Sequence, residues 1–568
     1  MSHKSGRGVG HLNASEETYS LRSDAGGASP EQAVHDLGVS SNAVQDQHSA
    51  VAVEALPQAV EALAPEQGTY GQILKSSALV GGSSVINIAI GIVRTKAMAL
   101  LLGPAGYGLF GLYGSIANLA QSLAGMGVNS SGVRQIAAAV GSGNSEQVAL
   151  TTVVLRRTSI VLGALGALFL VVASRQVSTV TFGNRQQTAA VCLLSVAVFF
   201  QLVSWGQNAL IQGMRRIADL AKIQVLGAFF GMVCSVILVY VWRDKGVVPS
   251  LVCVALMSLV VSWWYSRKVH IQVPPLTASE VGREAGELLK LGLAFAATGF
   301  MTTGVAYAVR IMLLRNVGFE ATGYYQSAWT LGGLYVGFIL QAMAADFYPR
   351  LTASAHDNPL CNRLVNEQTQ VGFLLAGPGV LGTLTFTPMV IGLFYSAKFL
   401  AAVSVLRWIC LGTTLQVITW PMGFIIVAKG KQALFFATEL GWTVASLGLA
   451  WVCVRSLGLN GAGIAFFGSY LFYGVLLYPI VNRLSGFRWS AANKRLGVLF
   501  LSLITAVFCG FYIFPFFWAA CIGILATLLS GLYSVRVLSK YVSLDRLPAP
   551  IRRLLSPFLP VSPSYTKV

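Results

Sequence analysis

The chain has 568 residues, of which 55% are hydrophobic and only 11% are charged, and its formal net charge is +18. A soluble globular protein carries about 25% charged residues, so the composition excludes an ordinary soluble fold and indicates a membrane protein with many spans. Apolar runs of about 20 residues suit helices rather than the strands of about 10 residues in membrane β-barrels. No basic segment interleaved with aromatic residues lies outside the apolar runs, so no nucleic-acid partner is expected.

The first segment, residues 1–69, differs from the rest of the chain. It is rich in Ser, Gly, Ala and Gln, and it contains three basic and nine acidic residues. Such a composition cannot bury enough apolar surface to offset the entropy lost on folding. It also lacks an apolar core followed by a small-residue cleavage site, so no signal peptide is expected. We predict a disordered acidic tail.

The next stretch, from Leu74 to Ile116, carries two cations in an apolar setting. Arg94 and Lys96 follow about 20 mostly apolar residues, and a cation within a membrane helix costs about 3 kcal/mol on insertion scales. Asn87 lies seven residues before Arg94 and so shares its helix face. Either one cation, most simply Arg94, faces an interior cavity while the other extends towards the membrane surface, or both extend harmlessly.

This hairpin recurs later in the chain. Lys75, Val93-Arg94 and Gly103…Gly106-Tyr107 correspond to Lys290, Val309-Arg310 and Gly318…Gly323-Tyr324, and the offset between the two copies is nearly constant. Three features recur in the same order and at a nearly constant spacing. This recurrence indicates two homologous halves, each beginning with the same helical hairpin. Arg310 is then the counterpart of Arg94.

Fourteen apolar helices are predicted in all. They cover residues 76–102, 107–128, 158–174, 188–212, 219–241, 247–266, 291–314, 322–346, 371–394, 401–428, 433–454, 461–481, 496–513 and 515–535. Six helices in each half is an even number, so the halves are expected to be parallel repeats related by an axis along the membrane normal. The fold class is all-α and polytopic, with two pseudo-symmetric six-helix lobes and a C-terminal two-helix hairpin.

These helices define the predicted domains. In chain order they are the acidic tail (1–69), an N-lobe (70–270), a linker helix (271–290), a C-lobe (291–483), an extra hairpin (484–545) and a second tail (546–568). The linker segment opens with Thr277-x-x-Glu280, a pattern typical of a capped helix start.

Loop charges predict the orientation. One alternate set of loops holds 18 Lys and Arg residues and the other holds seven. Cytoplasmic loops carry the excess of positive charge. Both tails and the linker helix are therefore expected on the cytoplasmic side.

Several other polar residues lie within predicted spans. Asn118 and Gln121 on the second helix, and Gln341 on the eighth, each belong to a face of polar and small residues, which suits either a cavity lining or close helix packing. Arg407 lies inside the tenth helix. Glu439 is the carboxylate placed deepest in a predicted span, and it either relays a proton or cation or pairs with an arginine as part of the structure.

Enzymatic and metal chemistry have little support in the sequence. The eight cysteines stand mostly alone in apolar helices and form no CxxC, and the six histidines lie in the first tail or in loops without ligand spacing. No phosphate-binding glycine loop, nucleophile elbow or zinc-protease motif appears. We predict a non-enzymatic protein with no metal and no cofactor, coupling to H⁺ or Na⁺ being left open.

The run VRTKAMALLLGPAGYGLFGLYGSI, residues 93–116, resembles the opening of the bacterial polysaccharide-transporter family. These are flippases of O-antigen and common-antigen lipid-linked oligosaccharides, in the superfamily that includes the multidrug and toxic compound extruders. The resemblance extends over about residues 70–483 and rests mainly on the Leu-Gly-Pro-Ala-Gly-Tyr-Gly turn. Family members usually have twelve such helices, so the last two helices and the acidic tail depart from the pattern.

The resemblance implies two extruder-like lobes around a cationic cavity in the bacterial inner membrane. Its substrate would be an undecaprenyl-diphosphate-linked oligosaccharide, carried from the cytoplasmic to the periplasmic leaflet for O-antigen, common antigen or exopolysaccharide biosynthesis. Arg94, Arg310 and Arg407 are then candidate ligands of the diphosphate, with Asn87, Asn118, Gln121 and Gln341 as further lining residues. Membrane lipids, and polymerase or chain-length proteins of the same pathway, are the other expected partners.

Two alternatives stay open. A cation-coupled multidrug exporter of the same superfamily would favour acidic cavity residues, whereas this chain offers mainly arginines. The second alternative is a membrane scaffold of a glycan assembly complex that transports no substrate. This alternative does not explain why intramembrane arginines lie at matched positions of two repeats. A polymerase or ligase would need a large periplasmic loop, which the predicted spans do not leave room for.

Overall fold

The structure, a computed structural model, describes residues 67–269 and 278–539 and leaves out the side chains of 67–81 and of some residues in 278–280, 291–295 and 338–346. The chain divides into two compact units, Met1–Leu74 and Lys75–Val568. Only the opening of one helix is described in the first unit, and every other described element belongs to the second. Residues 1–66 of the acidic tail and the whole second tail (546–568) lie outside the described residues, and so do the disorder predicted for the first and the cytoplasmic location predicted for both.

Helices make up the described residues, which contain no strand. The first half contains α1 (Gln67–Gly125), α2 (Val128–Gly141), α3 (Ser145–Val172), α4 (Ser174–Phe182), α5 (Thr188–Gly213), α6 (Ile217–Trp242), a 3₁₀ turn (Arg243–Gly246) and α7 (Val247–Ser266). The second half contains α8 (Ala278–Asn316), α9 (Phe319–Ala353), α10 (Asn358–Thr385), α11 (Thr387–Phe394), a 3₁₀ turn (Ala397–Ala402), α12 (Val403–Ala428), α13 (Gln432–Leu457) and α14 (Leu459–Ser485). The chain then forms α15 (Ala491–Ile513) and α16 (Phe516–Leu538).

Within the described part of the chain, ten helical segments are long and apolar enough to cross a membrane, or eleven if the bent pair α10–α11 is one span. Two of them, Gly82–Gly125 and Ile217–Ser266, are 44 and 50 residues long. A helix of about 20 residues already spans the hydrocarbon core. The all-α polytopic fold is confirmed, and the count of fourteen spans stays a prediction.

The predicted helix boundaries are wrong in two places within the first half. Helix α3 begins at Ser145, well before the predicted residue 158, because Asn144 caps it by accepting a hydrogen bond from the backbone N–H of Gln147. Helix α2 follows the second arm of α1 and was not predicted as a separate element. Both segments are too polar to resemble a span, so apolar runs alone do not reveal them.

The predicted ninth span, 371–394, is broken. Helix α10 ends at Thr385 and α11 begins at Thr387, with a bend of 81° between them. Pro388 occupies the first turn of α11, where its missing N–H costs nothing. In the interior of one continuous helix the same ring would clash with the preceding turn, so the chain starts a new helix in another direction.

The predicted linker helix and seventh span form one helix. Helix α8 runs without interruption from Ala278 to Asn316. Near its start the buried carboxylate of Glu284 accepts hydrogen bonds from the Gln147 amide (3.1 Å) and the Thr151 hydroxyl (3.2 Å), both on α3. The opening of α8 is therefore attached to the N-lobe, while its later turns pack against α13 of the C-lobe.

Two large clusters of buried apolar residues form the core. In the N-lobe, buried residues of α5 such as Leu194 and Val198 share a cluster with Val247 of α7. In the C-lobe, α12 packs against α14 through a larger cluster that includes Leu406 and Ala465. Both cores follow from helices that present apolar side chains every three or four residues to a neighbouring helix.

The extra hairpin packs closely against the C-lobe. Helices α15 and α16 both contact α10, and the rings of Phe373 and Phe500 stack with their centroids 6.1 Å apart. A polar cluster joins the base of the hairpin to α10. The Asn366 amide donates to the backbone oxygen of Arg488 (3.1 Å) and accepts from the backbone N–H of Ser490 (2.8 Å) and the amide of Asn493 (2.9 Å).

We expect Asn366→Leu to loosen the hairpin. The change removes three hydrogen bonds to the hairpin, each contributing about 0.5–1.5 kcal/mol, so the free energy of unfolding should fall by about 2–4 kcal/mol. Thermal unfolding of the detergent-solubilised protein measures the effect. Arg363→Ala is the control, because its ion pair with Glu367 lies on the exposed face of the same helix and is worth at most about 0.5 kcal/mol. Equal stability of the two variants would contradict the prediction.

Candidate functional site

Two glycines set the geometry of the candidate site. Gly103, inside α1, has φ +65° and ψ −174°, and Gly318, immediately before α9, has φ +117° and ψ −178°. Only glycine adopts these angles readily. Gly103 divides α1 into two arms, as the sequence predicted. The two glycines are repeat counterparts in the sequence, so the same break occurs at the same place in both halves.

The two halves touch through a second pair of glycines. A Cβ added to Gly108 would overlap the carbonyl oxygen of Phe319, and one added to Gly323 would overlap the carbonyl oxygen of Pro104. The contact is reciprocal, because Pro104 and Phe319 directly follow the matched glycines Gly103 and Gly318. Gly108 is therefore the structural counterpart of Gly323, and the pairing of Gly106 with Gly323 inferred from the sequence is wrong. We call the contact of Gly108 with Gly323 the glycine seam.

Other bonds join the lobes beside the glycine seam. Lys96, which was expected to extend towards the membrane surface, donates from Nζ to the carbonyl oxygen of Leu393 at 2.6 Å. Leu393 lies in the last turn of α11, where free carbonyls favour a cation. Arg315 at the end of α8 donates to the carbonyl oxygens of Thr179 and Val180, both at 2.5 Å, on α4. These hydrogen bonds therefore hold the two lobes together beside the glycine seam.

A cavity of about 400 Å³ lies between the two lobes. We call it the central cavity. Its lining combines residues of α1, α5 and α7 from the first half with residues of α8 and α9 from the second, and its polar members are Arg94, Ser115, Asn118, Gln121, Gln201, Arg310 and Gln326. The structure therefore brings the two repeat-related arginines to one cavity. It also brings two of the four predicted amide residues, Asn118 and Gln121, to the same lining.

Arg310 is held firmly in place. Its side chain is only 4% exposed, and it donates from Nε to Gln326 Oε1 at 2.8 Å and from Nη1 to the carbonyl oxygen of Ala306 at 2.7 Å. Its guanidinium carbon lies 5.5 Å from the ring centroid of Tyr325. These contacts fix the direction of the planar guanidinium at the cavity wall.

Arg94 has a similar ring contact and fewer hydrogen bonds. Its guanidinium carbon lies 5.5 Å from the ring centroid of Phe110, and Phe110 is the repeat counterpart of Tyr325 in the register of the glycine seam. Its Nε and Nη2 atoms are buried and have no hydrogen-bond partner among the described residues. A buried charged donor without a partner is costly, and the described residues leave two nitrogen donors of Arg94 without an acceptor.

The difference between the two arginines has a local cause. Where the second half has Gln326, which binds Arg310, the first half has Gly111. A Cβ on Gly111 would lie 2.7 Å from Gln326 Oε1. The glycine makes room for the glutamine of the other half, and as a result the first half provides no amide for Arg94.

The remaining predicted residues lie elsewhere. Asn87 does not line the central cavity but a second cavity, of about 320 Å³, between α1, α9 and α11. The guanidinium carbon of Arg407 lies 3.8 Å from the ring centroid of Phe511 on α15, so the structure does not bring it to Arg94 and Arg310. The side chain of Gln341 is outside the described residues.

Glu439 also stands apart from the central cavity. It accepts a hydrogen bond from the Tyr473 hydroxyl at 2.5 Å. The alternative in which an arginine pairs with Glu439 is not observed in the described residues, whose ion pairs lie elsewhere. Glu439 is held by a neutral donor on α14.

Several lining residues were not predicted from the sequence, among them Gln326, Gln201 and Trp205. Gln326 was not among the predicted site residues; it lies 16 residues after Arg310, on the next helix of the hairpin. Gln201 and Trp205 of α5 line the cavity opposite the C-lobe. The spacing of these two residues, four apart, is compatible with one helix face, but nothing local distinguishes that face from an ordinary packing surface.

The sequence profile described as polysaccharide biosynthesis protein matches residues 97–404 of this chain, more than half of its length. The chain belongs to this family. The match begins just after Arg94 and contains the glycine seam, Arg310 and most of the cavity lining. The resemblance inferred from residues 93–116 is thereby confirmed.

Relatives of known assignment agree with the family. The lipid III flippases of Escherichia coli strain K12 and of Shigella flexneri are each 25% identical over 412 residues, which covers 71% of this chain and 96% of each relative. The teichuronic acid biosynthesis protein TuaB of Bacillus subtilis strain 168 is 25% identical over 131 residues, 23% of this chain and 27% of that protein.

Solved structures share the fold. The lipid II flippase MurJ, in an inward closed conformation, matches with a TM-score of 0.62 at 12% identity, covering 82% of this chain and 99% of MurJ. An inward-facing multidrug resistance transporter of the MATE family matches with a TM-score of 0.60 at 16% identity, covering 73% of this chain and 96% of that protein. The extruder-like fold expected for the family is thus confirmed.

Proposed function

We propose that this protein is a flippase that carries a lipid-linked oligosaccharide across the bacterial inner membrane. The substrate is an undecaprenyl-diphosphate-linked oligosaccharide used for surface polysaccharide biosynthesis, and it moves from the cytoplasmic to the periplasmic leaflet. The observation that carries the proposal is the central cavity, which presents Arg94 and Arg310 from the two lobes on a single lining.

The chemistry of the two arginines favours a diphosphate. A guanidinium has donors in a planar fork, which matches phosphate oxygens and forms short charge-assisted hydrogen bonds. Arg310 has its direction fixed by Gln326, and Arg94 has two buried nitrogens without partners in the described part of the chain. Costly intramembrane cations that face a cavity often mark a substrate pathway.

The relatives support the same function. The relatives of E. coli and S. flexneri are named lipid III flippases and align over 96% of their length. The family is one of polysaccharide biosynthesis. Together with the many apolar helices, this supports a transporter rather than an enzyme, in the bacterial inner membrane. The excess of basic residues in one set of loops supports cytoplasmic termini.

The membrane potential can supply energy for moving a diphosphate outward across the membrane. Moving two negative charges outward across about 100 mV, inside negative, gains about 4.6 kcal/mol. Hydrolysis of ATP is therefore not required. In the alternative, a cation-coupled multidrug exporter, a positively charged drug would meet two arginines in the central cavity, and the like charges would repel it.

The full-length protein in vesicles tests the proposal. Lipid-linked oligosaccharide, extracted from cells lacking this protein, is incorporated into protein-free vesicles and into vesicles containing the protein. Periodate added outside oxidises only sugars exposed on the outer leaflet. In protein-free vesicles, we expect periodate to oxidise only the fraction of lipid-linked oligosaccharide in the outer leaflet. In vesicles containing the protein, we expect it to oxidise nearly all of it. Equal shares would contradict the flippase, and extrusion of a cationic dye instead would favour the multidrug exporter.

Coupling to an ion gradient, if it operates, is expected to involve Glu439. Glu439→Gln keeps an oxygen that accepts the hydrogen bond of Tyr473 but cannot exchange a proton or hold a charge. We expect the dependence of flipping on an imposed pH or sodium gradient to weaken in this variant. The control is Glu367→Gln, because Glu367 is an exposed residue of α10. Unchanged gradient dependence in Glu439→Gln would assign this carboxylate a structural role.

A further inference from the structure

A further cavity lies inside the C-lobe. Its volume is about 190 Å³, and helices α8, α9, α12, α13 and α14 enclose it. None of its described lining residues also lines the central cavity. Its aromatic lining residues are Tyr325, Trp329, Trp442, Phe466 and Tyr470. We call it the aromatic pocket.

The rings of the aromatic pocket form one connected wall. The Trp329 and Phe466 centroids are 5.3 Å apart, those of Phe466 and Tyr470 are 5.1 Å apart, and Tyr470 reaches Trp442 at 5.9 Å. None of the described residues that line the pocket is charged. A metal ion such as Na⁺ or Ca²⁺ prefers several oxygen ligands, so this neutral aromatic lining suits an uncharged organic ring instead.

Two polar groups of the aromatic pocket are buried. The indole N–H of Trp442 and the hydroxyl of Ser446 have no hydrogen-bond partner among the described residues, and the two side chains are only 8% and 5% exposed. They stand four residues apart on α13 and therefore on one helix face. Buried polar groups are nearly always paired in native proteins, so this pair indicates a ligand with hydroxyl or carbonyl oxygens.

The aromatic pocket adjoins the proposed diphosphate site. The guanidinium carbon of Arg310 lies 5.5 Å from the ring centroid of Tyr325 and 6.0 Å from that of Trp329. Both rings line the aromatic pocket, whereas Arg310 lines the central cavity. A group attached directly to a phosphate at Arg310 is therefore within reach of these rings.

We infer that the aromatic pocket binds the sugar ring attached directly to the diphosphate. This inference rests on the proposed function. A pyranose has apolar C–H faces that pack on aromatic rings, and it has hydroxyl oxygens that accept hydrogen bonds from Trp442 and Ser446. Pockets for drug-sized ligands have volumes of about 300–1,000 Å³, so a cavity of about 190 Å³ suits one sugar ring and not a whole oligosaccharide. The first sugar is then recognised by the C-lobe alone.

Binding measurements on the full-length protein in nanodiscs test the inference. The probes are undecaprenyl diphosphate and the same lipid bearing a single glucose, galactose or N-acetylglucosamine. We expect at least one sugar-bearing probe to bind more tightly than the bare diphosphate. In Trp442→Phe/Ser446→Ala this preference should fall about tenfold, because two donors are lost, while affinity for the bare diphosphate stays unchanged. The control is Trp451→Phe, since Trp451 is an exposed residue of the same helix.

The possible results separate the two proposals. If the double variant loses the sugar preference and the Trp451→Phe control keeps it, the aromatic pocket is supported as the sugar site. Binding of the bare diphosphate with no preference for any sugar, or a preference that the double variant keeps, overturns this inference and leaves the proposed function standing. If neither the bare diphosphate nor any sugar-bearing probe binds the parental protein, the proposed function fails and the inference fails with it.

Discussion

Replacing Arg94 or Arg310 by alanine is expected to reduce polysaccharide export about tenfold or more at normal membrane abundance, since each hydrogen bond to a charged group contributes about 1.5–3 kcal/mol. Lysine at either position should give an intermediate rate, because it keeps the charge and loses the planar fork. The measurement is the amount of lipid-linked oligosaccharide that accumulates in the cytoplasmic leaflet. The control is Arg455→Ala, since Arg455 also stacks on a ring, that of Trp451, but lies outside the central cavity.

The two alanine variants should differ in stability. Arg310→Ala removes the donor to Gln326, so thermal stability should fall together with export. Arg94→Ala removes two buried nitrogens that have no partner among the described residues, so thermal stability should be equal or higher while export falls. Loss of function without loss of stability identifies a residue that acts on the substrate. Parental export rates in both variants would mean that the cationic-cavity mechanism is wrong for this protein.

Replacing Gly108 or Gly323 by alanine is expected to separate the lobes at the glycine seam. Each added Cβ would overlap a backbone carbonyl oxygen of the other lobe, and a backbone atom cannot turn away as a side chain can. Overpacking of this kind costs about 1–3 kcal/mol. The population of the conformation in which the glycine seam is closed should therefore fall about tenfold. If each transport cycle passes through this conformation, the flipping rate should fall as well.

The separation of the lobes is measurable without the substrate. Spin labels on cysteines introduced at Pro104 and Phe319, whose carbonyl oxygens face the seam, should lie farther apart with Gly323→Ala than in the parental background. Gly304→Ala on α8 is the control, because a Cβ at that position meets no atom within 4 Å. Equal label-to-label distances in all three backgrounds would show that the seam tolerates the extra methyl group by a small local shift.

Much of the architecture was predictable because membrane helices obey strong local rules. Long apolar runs must become helices in lipid, where every backbone group needs an internal partner. The break at Gly103-Pro104 was predictable from residue chemistry, and its recurrence at Gly318 indicated the repeat. Elements that depend on their neighbours were not predictable in this way, as the capped start of α3 and the sharp bend after Thr385 illustrate.

The candidate site was predicted in part. The matched positions of Arg94 and Arg310 were enough to expect a shared cavity, and the structure brings both to one lining. Arg407 was chosen by the same reasoning, as a cation in an apolar helix, yet it stacks on Phe511 of the extra hairpin. The cost of an intramembrane charge is the same at every such position, so it indicates a special environment without saying which one.

Composition and residue order alone specify an all-helical membrane protein of two repeated halves, with a cation in the first helix of each. Which polar residues meet became clear from the packed helices and not before. Gln326 binds Arg310, and Gly111 leaves room for it in the other lobe, so Arg94 keeps two donors without partners among the described residues. Such pairings join residues distant in sequence, because helix packing across the lobe boundary, and not local propensity, fixes which faces come into contact.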